Sequence, residues 1–141
     1  MKTMFEWPVR VYYEDTDAGG VVFYANYMKF IERGRTELLR SVGIDALTMQ
    51  RDFACLFVVK AVNVEYHASA RMDELLNVRT WFRKIGRASL VFRQEVWRDA
   101  VLLAGADVVA CCVDPLEWKA TAIPKAVQDL IRAEFEVPSS N

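Results

Sequence analysis

From Tyr27 onward, apolar residues recur at three- and four-residue steps: Tyr27, Phe30, Ile31, Gly34, Leu38 and Val42. That spacing draws one stripe along an α-helix, with Lys29, Glu32, Arg33, Arg35, Glu37 and Arg40 on most other positions. Arg33 and Glu37 are spaced to pair. Gly34 leaves the stripe open to a close neighbour, and Gly43 reads as the stop. Asn26 is the candidate cap, although a start one turn earlier also fits. Elsewhere the pattern is strand-like. Residues 9–13 alternate behind Pro8, and residues 53–64, 76–82, 89–97 and 101–113 form further runs. Turn signals at Met72-Asp73-Glu74, Ile85-Gly86-Arg87 and Arg98-Asp99-Ala100 leave separations too short for crossovers, so the strands are expected to be antiparallel. Pro124 suits the first turn of a terminal helix over 125–135. The pattern predicts one α+β domain spanning residues 1–141, its long helix covering one face of a sheet of about five strands.

Composition adds one expectation and removes several. Of 141 residues, 53% are hydrophobic, including four Trp, five Tyr and eight Phe. So rich an apolar inventory in a small chain points to surface buried between copies, a homodimer or homotetramer. A net charge of −1 gives no basic footprint for nucleic acid. No apolar run approaches the roughly 20 residues of a membrane helix. The N-terminus lacks the apolar core of a secretory signal, and a cytoplasmic location is expected. Cys55, Cys111 and Cys112 form no CxxC pair and stand beside a single histidine, so neither a metal site nor a cofactor is expected.

Chemistry concentrates at Glu14-Asp15-Thr16-Asp17, which precedes Gly19-Gly20 and the helix pattern. A carboxylate there lies close to backbone N–H groups at a helix start, where a developing oxyanion can be held. Asx-turns, in which aspartate bonds local amides, are the simpler use of such residues. The residues alone leave both readings open. A second cluster, Arg83-Lys84-Ile85-Gly86-Arg87-Ala88-Ser89, carries three positive charges around a glycine turn. It fits either phosphate binding or a solvated hairpin. His67 reads as a hydrogen-bonding strand-end residue, and Glu32 and Glu37 as helix-face charges.

The segment VRVYYEDTDAGGVVFYANYMKFIERGRTELLR, with its DxDxxG turn and NYxxFxExxRxExLR helix, resembles hotdog-fold acyl-CoA thioesterases of the 4-hydroxybenzoyl-CoA thioesterase type. The YbgC-like branch, associated with the Tol-Pal gene cluster, is the nearest match. LFVVKAVNVEY, ARMDELL, GRASLVFRQEV and ACCVDPLEWKATAIPK follow in the expected order, so the resemblance covers nearly the whole chain. It implies a hotdog fold, a long central helix wrapped by a five- to six-stranded antiparallel sheet, and dimers joined edge to edge. It further implies that Asp17 is the general base or nucleophile and that the Tyr24 backbone N–H polarises the thioester carbonyl. Tyr13 would line the site. Phe23, Phe57 and Val58 would line an acyl groove between helix and sheet. Arg83, Lys84, Arg87 and Ser89 would face the nucleotide end of coenzyme A, with Lys60 and Arg71 as weaker candidates. One departure stands out: Tyr24 occupies a position where many YbgC-like sequences carry histidine. A backbone contact survives that change, whereas side-chain proton transfer does not, because a phenol titrates near pH 10.

Two other functions fit parts of the pattern. A hydroxyacyl-thioester dehydratase shares the fold but usually pairs a histidine with a carboxylate, and His67 lies away from the helix start. A non-catalytic module could instead recruit acyl carrier protein or an envelope-biogenesis partner. Release of free thiol separates hydrolysis from both.

Overall fold

The computed structural model describes residues 1–138. Its elements are β1 (Phe5–Arg10), α1 (Tyr27–Ser41), α2 (Ala46–Phe53), β2 (Leu56–Tyr66), β3 (Leu75–Ile85), β4 (Ser89–Arg98), β5 (Val101–Val113) and α3 (Lys125–Glu134). The strands form one antiparallel sheet in the order β1-β3-β4-β5-β2. Alternation on β3 and β4 points Leu76, Val78, Thr80 and Phe82, with Leu90, Phe92, Gln94 and Val96, to one buried face. The α1 stripe, Tyr27, Phe30, Ile31, Gly34 and Leu38, packs on that face. Each fully buried large side chain there contributes about 1.5–3 kcal/mol.

Local differences from the sequence pattern have physical causes. Pro8 lies inside β1, opposite Asn77, rather than at its start. β1 is an edge strand, where a missing N–H is tolerated. Residues 11–13 leave the sheet because Asp15 folds the chain back. Its Oδ2 accepts from the Tyr12 N–H at 2.8 Å, closing a 3₁₀ turn at Tyr13–Asp15. α1 starts at Tyr27, directly after the expected cap position, and a 3₁₀ turn at Tyr24–Asn26 runs into it from one turn earlier. Asn26 does not cap it; its Nδ2 donates to the Asp15 carbonyl instead. Glu37 pairs with Arg40, not Arg33, whose guanidinium lies over the Phe30 ring. Gly43, at φ +86°, ends the helix as expected. The pattern missed α2, where Asp45 accepts from the Thr48 N–H and caps a short helix ahead of β2.

Gly34 is where helix and sheet come closest. A Cβ there would sit 2.5 Å from Val78 Cγ1 on β3, in a core with no slack. Gly34→Ala gains up to about 1 kcal/mol of helix propensity, against an overpacking penalty of about 1–3 kcal/mol. A net loss of up to about 2 kcal/mol is expected, read as a lower denaturant midpoint at unchanged slope.

Candidate active site

Asp15 and Asp17 part company in the structure. Asp15 is buried, and its carbonyl also accepts from the Phe23 N–H at 3.0 Å, so it ties the acidic turn to the helix start. Asp17 is exposed. Its backbone bonds Val21 and Gly20 in a tight turn, with Gly20 at φ +79°. Its Oδ1 accepts from the Gly19 N–H at 2.8 Å, and a side chain on Gly19 would press on that oxygen at 3.2 Å. Oδ2 receives no hydrogen bond from the described residues, so one carboxylate oxygen remains open. Asp17 lines a shallow cleft of about 460 Å³ with Tyr13, Thr16, Ala18, Gly20 and Met72.

The helix start supplies the complementary group. Among the described residues, neither the Tyr24 nor the Ala25 N–H has an acceptor, while the N–H of Asn26 bonds the Phe23 carbonyl. Tyr24 packs at a tilt against Phe23, ring centroids 4.9 Å apart, and meets Tyr66 edge-on at 5.9 Å. Tyr27, one turn on, is buried and accepts from the Ala70 N–H through its hydroxyl. Burial raises the pKa of Tyr27 above that of an ordinary phenol. Tyr66 is raised too, first by desolvation and then by its two tyrosine neighbours, so neither ring is a proton acceptor at neutral pH. The Cys112 thiol is pushed up to about 12 by burial, with Cys55 beside it, and supplies no nucleophile. His67 lies 3.9 Å from Glu65 at the end of β2 and lines none of the cavities described here. Among the described residues no three His, Cys, Asp or Glu side chains converge as a metal site.

The remaining predicted residues lie elsewhere. Phe57 and Val58 line a groove of about 500 Å³ between α1, α2 and the start of β2. Phe23 does not line it; it stays with Tyr24. Arg83, Lys84, Arg87 and Ser89 sit at the β3–β4 hairpin, where the Gly86 N–H donates to the Ser89 carbonyl. Ser89 pairs with Cys111, and Cys111 with Val58, so hairpin and groove share one end of the sheet. Tyr66 pairs with Ala104, and Ala104 with Val96, at the other end, where Tyr24 meets Tyr66 edge-on. The 11 residues of β2 separate the two ends by about 33 Å at roughly 3.3 Å per residue. Within one chain, carboxylate and groove stand apart.

A model of the thioesterase superfamily matches residues 19–104, which include the helix start, α1 and most of the sheet. The chain belongs to the thioesterase superfamily. Among the relatives of this thioesterase is the acyl-CoA thioester hydrolase YbgC of Escherichia coli O6:H1, 46% identical over 89% of this chain and 93% of its own. The acyl-CoA thioesterase YbgC of Haemophilus influenzae is 43% identical over 88% of this chain and 91% of its own. A probable thioesterase from Bartonella henselae superposes with a TM-score of 0.82 at 29% identity, covering 86% of this chain and 99% of that one. A 4-hydroxybenzoyl-CoA thioesterase variant in complex with 4-hydroxybenzoyl-CoA superposes at 0.84 over 92% and 99%. At 19% identity, that likeness shows the hotdog fold alone. No helix among the described residues is long and apolar enough to cross a membrane.

Proposed function

We propose that this thioesterase hydrolyses acyl-CoA thioesters with Asp17 as general base or nucleophile and the Tyr24 N–H as oxyanion donor. The observation that carries the assignment is the pairing of an open carboxylate oxygen with an unpaired helix-start N–H. The thioester carbonyl oxygen accepts from Tyr24 while negative charge builds on it. Either Asp17 takes a proton from the attacking water, or its carboxylate adds to the carbonyl and the resulting mixed anhydride is hydrolysed. Both routes expel the coenzyme A thiolate, which is protonated, and leave the free acid.

The site is completed by a second copy of the chain. β2 is a long sheet edge whose middle, Val59 to Asn63, is exposed and carries one charge, Lys60. Such an edge invites another strand. The opposite edge, β1, is short and carries Pro8. Antiparallel addition of a second β2 about its centre sets Tyr66 of one copy beside the Leu56 end of the other. Asp17 and Tyr24 of one copy then face the groove and basic hairpin of its mate. The acyl group lies along the groove, while Arg83, Lys84 and Arg87 meet the phosphates of coenzyme A. Thiol release from short, long and aromatic acyl-CoAs, with the acyl skeleton recovered unchanged, tests the reaction. Recovery of a dehydrated acyl thioester, or no release across the whole panel, rejects it.

A further inference from the structure

The groove contains a cation that the hydrolytic machinery does not use. Arg35 projects from the middle of α1 into a wall otherwise largely apolar, formed by Leu39, Ile44, Met49, Leu56, Phe57 and Phe92. One guanidinium nitrogen, Nη1, donates to Gln94 Oε1 at 3.0 Å. Gln94 is fully buried, and its Nε2 donates to the Ile31 carbonyl at 2.8 Å and to Thr80 Oγ1 at 2.9 Å. The amide orientation is thereby fixed, and it holds the guanidinium in one place. Among the described residues no other side-chain hydrogen bond engages the Arg35 guanidinium, and none of the ion pairs includes it. Asp45 borders the groove but is occupied by the Thr48 N–H, and Glu32 is exposed at the rim. Burial lowers the pKa of Arg35, with Glu32 acting in the opposite direction, and a guanidinium still stays charged at neutral pH. A partly desolvated cation with free donors is costly unless an acceptor meets it.

We propose that Arg35 sets the acyl specificity of the groove, its free N–H groups receiving an oxygen acceptor, hydroxyl or carboxylate, at the end of the acyl group remote from the thioester. The apolar wall takes the intervening carbons, and Gln94 orients the guanidinium that reads the tip. A plain alkyl end leaves those donors unmet. The proposal rests on the groove being the acyl site.

The test measures kcat/KM by thiol release for matched sets built on butanoyl-, hexanoyl- and octanoyl-CoA, each plain, with a terminal hydroxyl and with a terminal carboxylate. The wild-type enzyme is expected to prefer an oxygen-tipped member in at least one set. Arg35→Met lowers that value by roughly 10- to 100-fold and leaves the plain acyl-CoA within about 2-fold. Arg35→Lys falls between, because it keeps the charge and loses the planar fork. Comparing the hydroxyl and carboxylate arms identifies the tip. Absence of any oxygen-tip preference in the wild-type enzyme overturns the proposal, as does an equal loss on plain and tipped substrates. Ala46→Phe, which narrows the exposed rim of the groove, separates the two layers of inference. If it leaves the chain-length profile unchanged, the groove is not the acyl site. If it shortens the profile while no tip preference exists, only the role of Arg35 fails.

Discussion

Asp17→Asn is expected to lower acyl-CoA turnover by about three orders of magnitude while leaving the fold intact. The two halves of that result rest on different atoms. Asn keeps an oxygen to accept from the Gly19 N–H, so the turn that holds Gly19 and Gly20 survives. Because Asp17 is exposed, the change in stability should stay within about 0.5 kcal/mol. What disappears is the second, open oxygen, replaced by an amide that neither accepts a proton nor attacks a carbonyl. Turnover falls through kcat, whereas acyl-CoA binding, measured by titration of the variant, holds. Asp15→Asn provides the contrast. Its buried carboxylate accepts from the Tyr12 N–H, so that variant should lose stability first and activity as a consequence. A wild-type rate from folded Asp17→Asn protein removes Asp17 from the mechanism. A single turnover in ¹⁸O-water identifies the anhydride route wherever water opens the anhydride at the Asp17 carbonyl. Label enters the product acid when water attacks directly, and enters the Asp17 carboxylate only through an anhydride.

The sequence patterning carried much of this architecture and left out one decisive part. The α1 stripe and the strands from residue 76 onward were legible because one buried face imposes a strict period on each. α2 was not. Its eight residues bury Met49 and little else, so no apolar stripe develops, and Phe53 blends into the following apolar run. The signal available was Asp45 followed three residues later by Thr48, the spacing of a capped helix start. Missing α2 hid the groove, because α2 forms one of its walls. The role of Arg35 was hidden for another reason. Helical spacing puts it beside the apolar stripe, where long basic residues usually reach for water. Only the packed structure reveals the buried Gln94 that holds it. Asp17 shows the opposite balance: its motif marked it, but its chemistry depends on which oxygen the Gly19 N–H occupies.

Mixing two inactive forms of the enzyme is expected to restore activity. One partner carries Asp17→Asn with the basic hairpin intact. The other keeps Asp17 and carries Arg83→Ala, Lys84→Ala and Arg87→Ala. If each site combines the carboxylate of one copy with the hairpin and groove of its mate, a hybrid dimer holds one complete site and one doubly defective site. After unfolding and joint refolding, which gives about half hybrids at equal amounts, the mixture should recover roughly a quarter of the wild-type sites. Sites confined to one chain would recover nothing, since neither partner contains both parts. The edge strand supplies the matching control. Ala61→Glu with Val62→Glu places charges along the exposed middle of β2, where two strands would meet, and introduces none into the core or the groove. That double variant should elute as a folded monomer with hydrolysis reduced at least about 100-fold, because each monomer keeps Asp17 and Tyr24 but lacks its mate's groove. A monomer that retains full activity would place the whole site within one chain. What makes the outcome decisive is that Asp17 lines none of the groove in its own chain. The basic hairpin lies at the end of β2 roughly 33 Å from Tyr66, where Tyr24 sits, and a second, antiparallel strand brings the two ends together.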